Sequence, residues 1–355
     1  MLADLAGKKV LLLQGPAGPF FWRVARHLRK LGCDVTKVNF NSGEDLYYRG
    51  PEVVRYQGSF HDWPSFFQEL IEQRSIQAVV LFGDCRPLHR AAIERARHLG
   101  RDIFVFEEGY LRPDFVTFEK DGVNGYSSIP QTPAFYRGLN MGRLPEPVPV
   151  KHAFLKSAVH TICYATVAAM FRPLYPQYQH HRDIRPFHQA GLWLKSGVRR
   201  SFHTVRDRDV NRRFLEGSMP PYFFVPLQVY LDAQMQHARF ATMDEFIQEV
   251  VTSFARHAPH DNLLIFKHHP MDRPYRDYSS TLDQLRRLHG VGDRLLYVDV
   301  IHLPSALRGA RGTVVMNSTA GLSSIHHGTP VKCLGNAVYD MPGLTYQGSL
   351  DEFWL

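Results

Sequence analysis

A chain of 355 residues with 44% hydrophobic and 21% charged side chains holds enough apolar material for two cores, which excludes a disordered polymer. Lys and Arg outnumber Asp and Glu by 42 to 34, a net charge of +8 with a pI near 9.3. That excess favours anionic partners (nucleotides, acidic sugars, phospholipid head groups, nucleic acid), although a mildly basic solvated surface explains it equally well. At the start of the chain, Lys8 and Lys9 precede only a short apolar run, Val10 to Leu13, too little for a secretory signal. The first ~115 residues then alternate apolar runs with helical patterns, as a parallel sheet requires. Strands are expected at Val10–Leu13, Asp34–Phe40, Ala78–Phe82 and Ile103–Phe106, and helices at Phe20–Leu31, Pro64–Gln73 and Leu88–Leu99. Small or polar residues follow most of these strands: Gln14-Gly15-Pro16, Asn41-Ser42-Gly43, Gly83-Asp84 and Glu107-Glu108-Gly109. Ligands of open α/β sheets bind beyond the carboxyl ends of the strands, so this edge is the expected site rim.

The pattern changes between Lys151 and Glu216, a basic, aromatic, helical segment dense in arginine and broken by Arg172-Pro173, Tyr175-Pro176 and Arg185-Pro186. Its longest apolar stretch, Ile162–Phe171, is about half of the ~20 residues that span a bilayer. A second alternating unit follows, with strands at Tyr222–Val229, Leu263–Phe266, Leu295–Val298, Thr313–Met316 and Pro330–Leu334. Thr242 and Glu245 form a capping-box signature ahead of a helix running to about His257. The expected organisation is therefore an N-terminal Rossmann-like domain over 1–150, a helical insertion over 151–216 and a C-terminal Rossmann-like domain over 217–355. Two such domains facing a cleft describe a GT-B-like α/β fold. Cys33, Cys85, Cys163 and Cys333 are scattered without a C-x-x-C pair, which points to a reducing, cytoplasmic compartment.

Several clusters carry chemistry. Asn317-Ser318-Thr319 joins a strand to a helix, where free N–H groups and hydroxyls suit a phosphate; simple helix capping accounts for the same residues. Lys267-His268-His269-Pro270 follows a strand, with a lysine and a histidine placed for a phosphate or departing anion. The chain has 19 histidines, yet adjacent residues of a strand face opposite ways, so His268-His269 is a poor chelate and no metal is expected. One of Glu107 and Glu108 is placed to enter the site as acid or base, unless both are solvated loop carboxylates. Asp232, just past an apolar strand, suits a nucleophile, a ribose ligand or a helix cap. Gly15-Pro16-Ala17-Gly18 lacks the P-loop Lys-Ser/Thr and the dinucleotide glycine spacing; it fits a close backbone approach to a ligand or a tight turn.

Six segments, in order across nearly the whole chain, resemble the capsule-polysaccharide β-Kdo transferases of the KpsS/LipB type. They are Leu13-Gln14-Gly15-Pro16-Ala17-Gly18-Pro19-Phe20-Phe21, Asn39-Phe40-Asn41-Ser42-Gly43, Glu107-Glu108-Gly109-Tyr110-Leu111-Arg112-Pro113, Pro226-Leu227-Gln228-Val229, Lys267-His268-His269-Pro270-Met271-Asp272 and Asn317-Ser318-Thr319-Ala320-Gly321-Leu322. The resemblance implies retaining transfer of β-Kdo, an acidic ketose, from CMP-Kdo to a phosphatidylglycerol-type lipid, starting the lipid terminus of a capsular polysaccharide. It implies Glu107 or Glu108 as acid/base and Asp232 as nucleophile. Donor binding falls to Gln228, Lys267, His268, His269, Asn317, Ser318 and Thr319, with Gly15, Gly18 and Arg112. No cofactor or metal is implied. The implied place is the inner face of the cytoplasmic membrane, peripherally bound, with other capsule assembly and export proteins as partners. Two departures stand out: Ala233 replaces the serine usual after the aspartate, and the family usually continues past Phe353-Trp354-Leu355.

Three other readings compete. A sugar-nucleotide epimerase would share the fold and the phosphate-binding helix but would act on UDP sugars. A non-catalytic capsule-assembly subunit is disfavoured by the joint presence of Glu107 and Asp232. Nucleic-acid binding rests on charge alone, without a recognised module, and is not expected.

Overall fold

The computed structural model describes residues 2–50, 52–110, 114–140, 142, 146, 151–180, 185–230, 235 and 238–355. They form two compact units: Met1–Ser128 with Arg143–Ala190, and Ile129–Gly142 with Gly191–Leu355. The segment 151–216 is shared, its first forty residues belonging to the first unit and the remainder to the second.

The first unit is built on strands β1 (Lys9–Leu12), β2 (Asp34–Asn39), β3 (Val53–Arg55), β4 (Ala78–Phe82), β5 (Asp102–Glu108) and β6 (Val116–Lys120), in the order β3-β2-β1-β4-β5-β6. All pairs are parallel except β5 with β6. Alternation along the strands divides the core into two layers. Leu11, Val38, Val79, Leu81, Ile103 and Val105 pack with the helices Trp63–Gln73 and Pro87–His98. Val10, Leu12, Val80, Phe104 and Phe106 pack on the opposite face with the helix Phe20–Lys30.

The second unit has strands β7 (Tyr222–Pro226), β8 (Leu263–Lys267), β9 (Leu295–Val298), β10 (Gly312–Val315) and β11 (Val331–Cys333), all parallel, in the order β11-β10-β7-β8-β9. Phe223, Val225, Leu264, Phe266 and Val314 meet the helices Met243–His257 and Ser279–His289, together with Phe353 and Trp354 from the chain end. Phe224, Ile265 and Val298 meet the helices Arg208–Glu216 and Leu303–Arg308 on the other face. Read from β9, this sheet has the same doubly wound order as the first five strands of the other unit, with the reversal between β7 and β10 instead of between β1 and β4.

The expected mixed α/β architecture with two Rossmann-like parallel sheets is therefore present. Local differences have plain causes. Glu107 and Glu108 lie inside β5 instead of beyond it, because β6 folds back and pairs Glu107 with Thr117 and Glu108 with Val116. Asn41 and Ser42 start a helix, Ser42–Tyr47, since Asn41 accepts a capping bond from Glu44 N–H. Thr242 caps Met243–His257 through Glu245 N–H, while the Glu245 carboxylate reaches back to Ala241 N–H. No helix among the described residues is long and apolar enough to cross a membrane.

Candidate functional site

In a sheet of this order the ligand crevice opens where the strand order reverses, beyond the carboxyl ends of the two central strands. In the second unit those strands are β7 and β10, and each is followed by an amide side chain. Gln228 Nε2 donates to Asn317 Oδ1 at 2.9 Å, and Asn317 N–H donates to Gln228 Oε1 at 3.2 Å. Both residues are buried, so the reciprocal pair pins the two strand ends together at the reversal point. Ser318 and Thr319 follow, half-buried. Ser318 Oγ accepts from Ala320 N–H at 3.2 Å, whereas Thr319, at the start of the helix Ala320–His326, makes no side-chain cap bond. Capping thus falls to Ser318. Its carbonyl also accepts from the Tyr339 hydroxyl and from Gly321 N–H. The Tyr339 ring passes so close to Gly321 that any β-carbon there would strike it, which explains the glycine in this stretch.

At the end of β8, Lys267 is buried and its ammonium donates to the His268 carbonyl at 3.1 Å. Burial pushes its pKa down to about 8, against the opposing attraction of Asp299. His268 is also buried, its Nδ1 bonded to the Tyr297 hydroxyl at 2.7 Å, and burial lowers it to about 4, so it is neutral. His269 is half-buried, and its Nδ1 accepts from Met271 N–H at 3.2 Å. Nδ1 as acceptor places the proton of the neutral ring on Nε2, making that nitrogen a donor. The buried Asp272 carboxylate accepts from Tyr230 N–H at 2.9 Å and so braces the chain just ahead of Asp232. Behind Lys267, Asp299 is held by both arms of Arg273 and by His203 Nδ1 at 2.7 Å.

The first unit has a comparable arrangement at its own reversal point. Arg86, after β4, donates to the Gly15 carbonyl at 3.2 Å and to Gln14 Oε1 at 3.5 Å, after β1. Gln14 Nε2 donates to the Tyr178 hydroxyl at 2.7 Å and the Tyr164 hydroxyl at 3.4 Å, and Asn41 Nδ2 reaches Tyr164 at 2.6 Å. The segment 151–180 therefore docks on this sheet edge through buried Tyr164 and half-buried Tyr178. Beneath it lies a buried ion pair, Lys37 with Glu44 at 2.9 Å. The turn after β1 needs its glycines: Gly18 has φ of +123°, and a β-carbon at Gly15 would meet the Phe21 ring at 3.0 Å. Glu107 is half-buried, with Oε1 accepting from Glu108 N–H at 2.9 Å. Burial, joined by the neighbouring Glu108 and Asp84 charges, raises its pKa, while Arg86 and the Glu108 N–H pull the other way. Glu108 is exposed. Fully buried His89 bonds the Gly83 carbonyl through Nδ1 at 2.6 Å, and burial with the Arg86 charge lowers it to about 3.

The model of the capsule polysaccharide biosynthesis protein family matches residues 77–355. The chain belongs to this family. Among capsule proteins, it is 40% identical over 351 residues to the capsule polysaccharide export protein KpsS of Escherichia coli, covering 99% of this chain and 90% of that one. It is also 40% identical to the capsule polysaccharide modification protein LipB of Neisseria meningitidis serogroup A, covering 98% and 85%. A solved structure, Thermosulfurimonas dismutans KpsC, β-Kdo 2,7 transferase, is 14% identical with a TM-score of 0.47, covering 98% of this chain and 88% of that one.

In this family member, Gln228, Asn317, Ser318 and Thr319 gather at one reversal point, and Lys267, His268 and His269 stand at the end of the neighbouring strand β8. Gly15, Gly18, Glu107 and Glu108 belong to the carboxyl edge of the other sheet. Asp232 and Arg112 lie outside the described residues. Sequence reading missed Arg86, Asp299, Tyr164 and Tyr178. Arg86 and Asp299 each follow a strand closely, the one available signal; the tyrosines carried none, because they arrive from sequence more than a hundred residues away.

Proposed function

We propose that the chain is a retaining glycosyltransferase that moves β-Kdo from CMP-Kdo to a phosphatidylglycerol-type lipid, beginning the lipid terminus of a capsular polysaccharide. Supporting this reading is the reversal-point crevice of the second unit, where the Gln228–Asn317 pair meets Ser318 and Thr319, with Lys267 and His269 on the adjoining strand end. Such donors suit the phosphate of a departing nucleotide. The Lys267 ammonium and the His269 Nε2–H would hold the CMP phosphate as the bond between it and the anomeric carbon breaks.

Asp232 is the proposed nucleophile. Its carboxylate oxygen bonds the anomeric carbon as CMP leaves with the electron pair, giving a glycosyl ester. The acceptor hydroxyl then attacks the same carbon, loses its proton to the Glu107 carboxylate and displaces Asp232; two inversions give net retention. Glu107 is preferred to Glu108 because burial raises its proton affinity towards neutrality. Action at the inner membrane surface, alongside other capsule assembly proteins, follows from the lipid acceptor. No metal or cofactor has a role in this scheme.

The decisive experiment supplies CMP-Kdo and a fluorescent short-chain lysophosphatidylglycerol and identifies the product. A β-linked Kdo lipid is expected from the wild type and none from a folded Asp232→Ala variant that still binds CMP. With Glu107→Gln, intact-mass analysis should show a Kdo adduct on the Asp232 peptide. Substantial transfer by Asp232→Ala would end the nucleophile assignment.

A further inference from the structure

Two arginines on the loop after β8 turn opposite ways, towards the strands on either side of it. Arg273 turns to the end of β9, where both oxygens of buried Asp299 neutralise it. Arg276 turns to the end of β7, and its guanidinium lies 4.7 Å from the centre of the Tyr230 ring. It is exposed, and among the described residues its side chain makes no hydrogen bond or ion pair. The backbone beneath it is fixed all the same. Arg276 N–H donates to the Asp272 carbonyl at 2.9 Å, and its own carbonyl accepts from Arg199 at 3.3 Å. Tyr230 is fixed too, with its N–H on the Asp272 carboxylate at 2.9 Å and its ring 5.9 Å from that of Tyr275. A cation without a counter-charge thus stands on a braced platform that joins the loop of His269 to the segment two residues beyond Gln228. At an exposed site a cation–π contact is weaker than a charge-assisted hydrogen bond, so the guanidinium can leave the ring for an anion.

We propose that Arg276 binds the carboxylate of the donor sugar; the proposal rests on the reading of the chain as a CMP-Kdo transferase and assigns the part of that donor which Lys267 and His269 leave unmatched. CMP-Kdo carries two anionic groups. Lys267 and His269 meet the phosphate, whereas the carboxylate is bonded directly to the anomeric carbon, the atom that a carboxylate nucleophile must approach. Two carboxylates brought so close repel, and a cation beside them removes the repulsion. A guanidinium meets a carboxylate through two parallel N–H donors, a match that an ammonium cannot copy. Position agrees with this assignment. Two residues span at most about 7 Å, so Tyr230 and the guanidinium over it stay close to Gln228 at the reversal point. Arg273, three residues earlier on the same loop, is already neutralised by Asp299 and offers no comparable charge.

Calorimetric titration of the full chain with CMP and with CMP-Kdo, in the absence of acceptor, tests the proposal. Wild type should bind CMP-Kdo more tightly than CMP. Arg276→Gln should keep the wild-type affinity for CMP and bind CMP-Kdo about tenfold or more weakly. Arg276→Lys, which has the charge but not the fork, should fall between the two. All three proteins should melt alike, because the side chain is exposed and its replacement leaves no buried group without a partner. A preference for CMP-Kdo that survives in Arg276→Gln overturns the proposal and leaves the donor reading standing. Equal losses for CMP and CMP-Kdo overturn it as well, since the arginine would then serve the phosphate. A wild type that does not distinguish the two ligands refutes the donor reading itself, and the proposal with it.

Discussion

Replacing Lys267 with methionine should stabilise the fold at neutral pH and weaken nucleotide binding at the same time. The lysine pKa falls from 10.5 to about 8 on burial, a penalty on the charged form of about 3 kcal/mol at neutral pH. Its hydrogen bond to the His268 carbonyl returns about 1 kcal/mol, leaving a net gain of about 2 kcal/mol for an isosteric methionine. The sign follows from linkage. Below about pH 8 both folded and unfolded lysine are charged and the full penalty applies; between there and about 10.5 the folded state sheds the proton first, so wild-type stability rises; above that range the penalty has vanished. Lys267→Met should therefore melt higher than wild type near neutrality, the difference shrinking as pH rises through this window. Calorimetric binding of CMP to the same protein should be about tenfold or more weaker. Such a trade of stability for function marks a residue kept for its charge. A variant less stable than wild type at neutral pH, or a difference that ignores pH, would refute the burial argument, and unchanged CMP affinity would refute the phosphate role.

Other consequences are open to measurement. Tyr164→Phe removes the oxygen that accepts from Asn41 at 2.6 Å and Gln14 at 3.4 Å, at a cost of about 1–3 kcal/mol. Hydrogen exchange should then rise in Ala153–Met170, and unaltered exchange would show that the hydroxyl does not dock the helix. Because burial raises the Glu107 pKa, the acidic limb of kcat/KM should lie above the ordinary glutamate range, and Arg86→Ala should move it higher still by removing a stabilising charge. A limb at the ordinary value in both proteins would dismiss Glu107 as the base. Gly321→Ala, forced against the Tyr339 ring, should cost about 1–3 kcal/mol in thermal denaturation, and a neutral result would mean that the ring shifts freely.

Local chemistry alone determined much of this protein. The apolar runs Ala78–Phe82 and Leu295–Val298 could be read directly as strands, since a strand covered on both faces is apolar throughout its length. Thr242 with Glu245 announced a helix start because a cap is a contact between near neighbours. The polar residues after β7, β8 and β10 marked one edge of the second sheet for the same reason: where a parallel strand ends is a local property. Tertiary structure decided what those residues face. Gln228 and Asn317 are 89 positions apart and meet only because the strand order reverses between β7 and β10. Glu107 and Glu108 lie within a strand because β6 pairs with them, and a weakly apolar edge strand gives little signal of its own. The helix Pro186–Arg206 shows the division most plainly. Its periodicity shows that it is amphipathic, but which stripe faces the protein depends on carbonyls and two carboxylates, Asp277 and Asp299, supplied by residues 273–299, and those hold its cationic side inward.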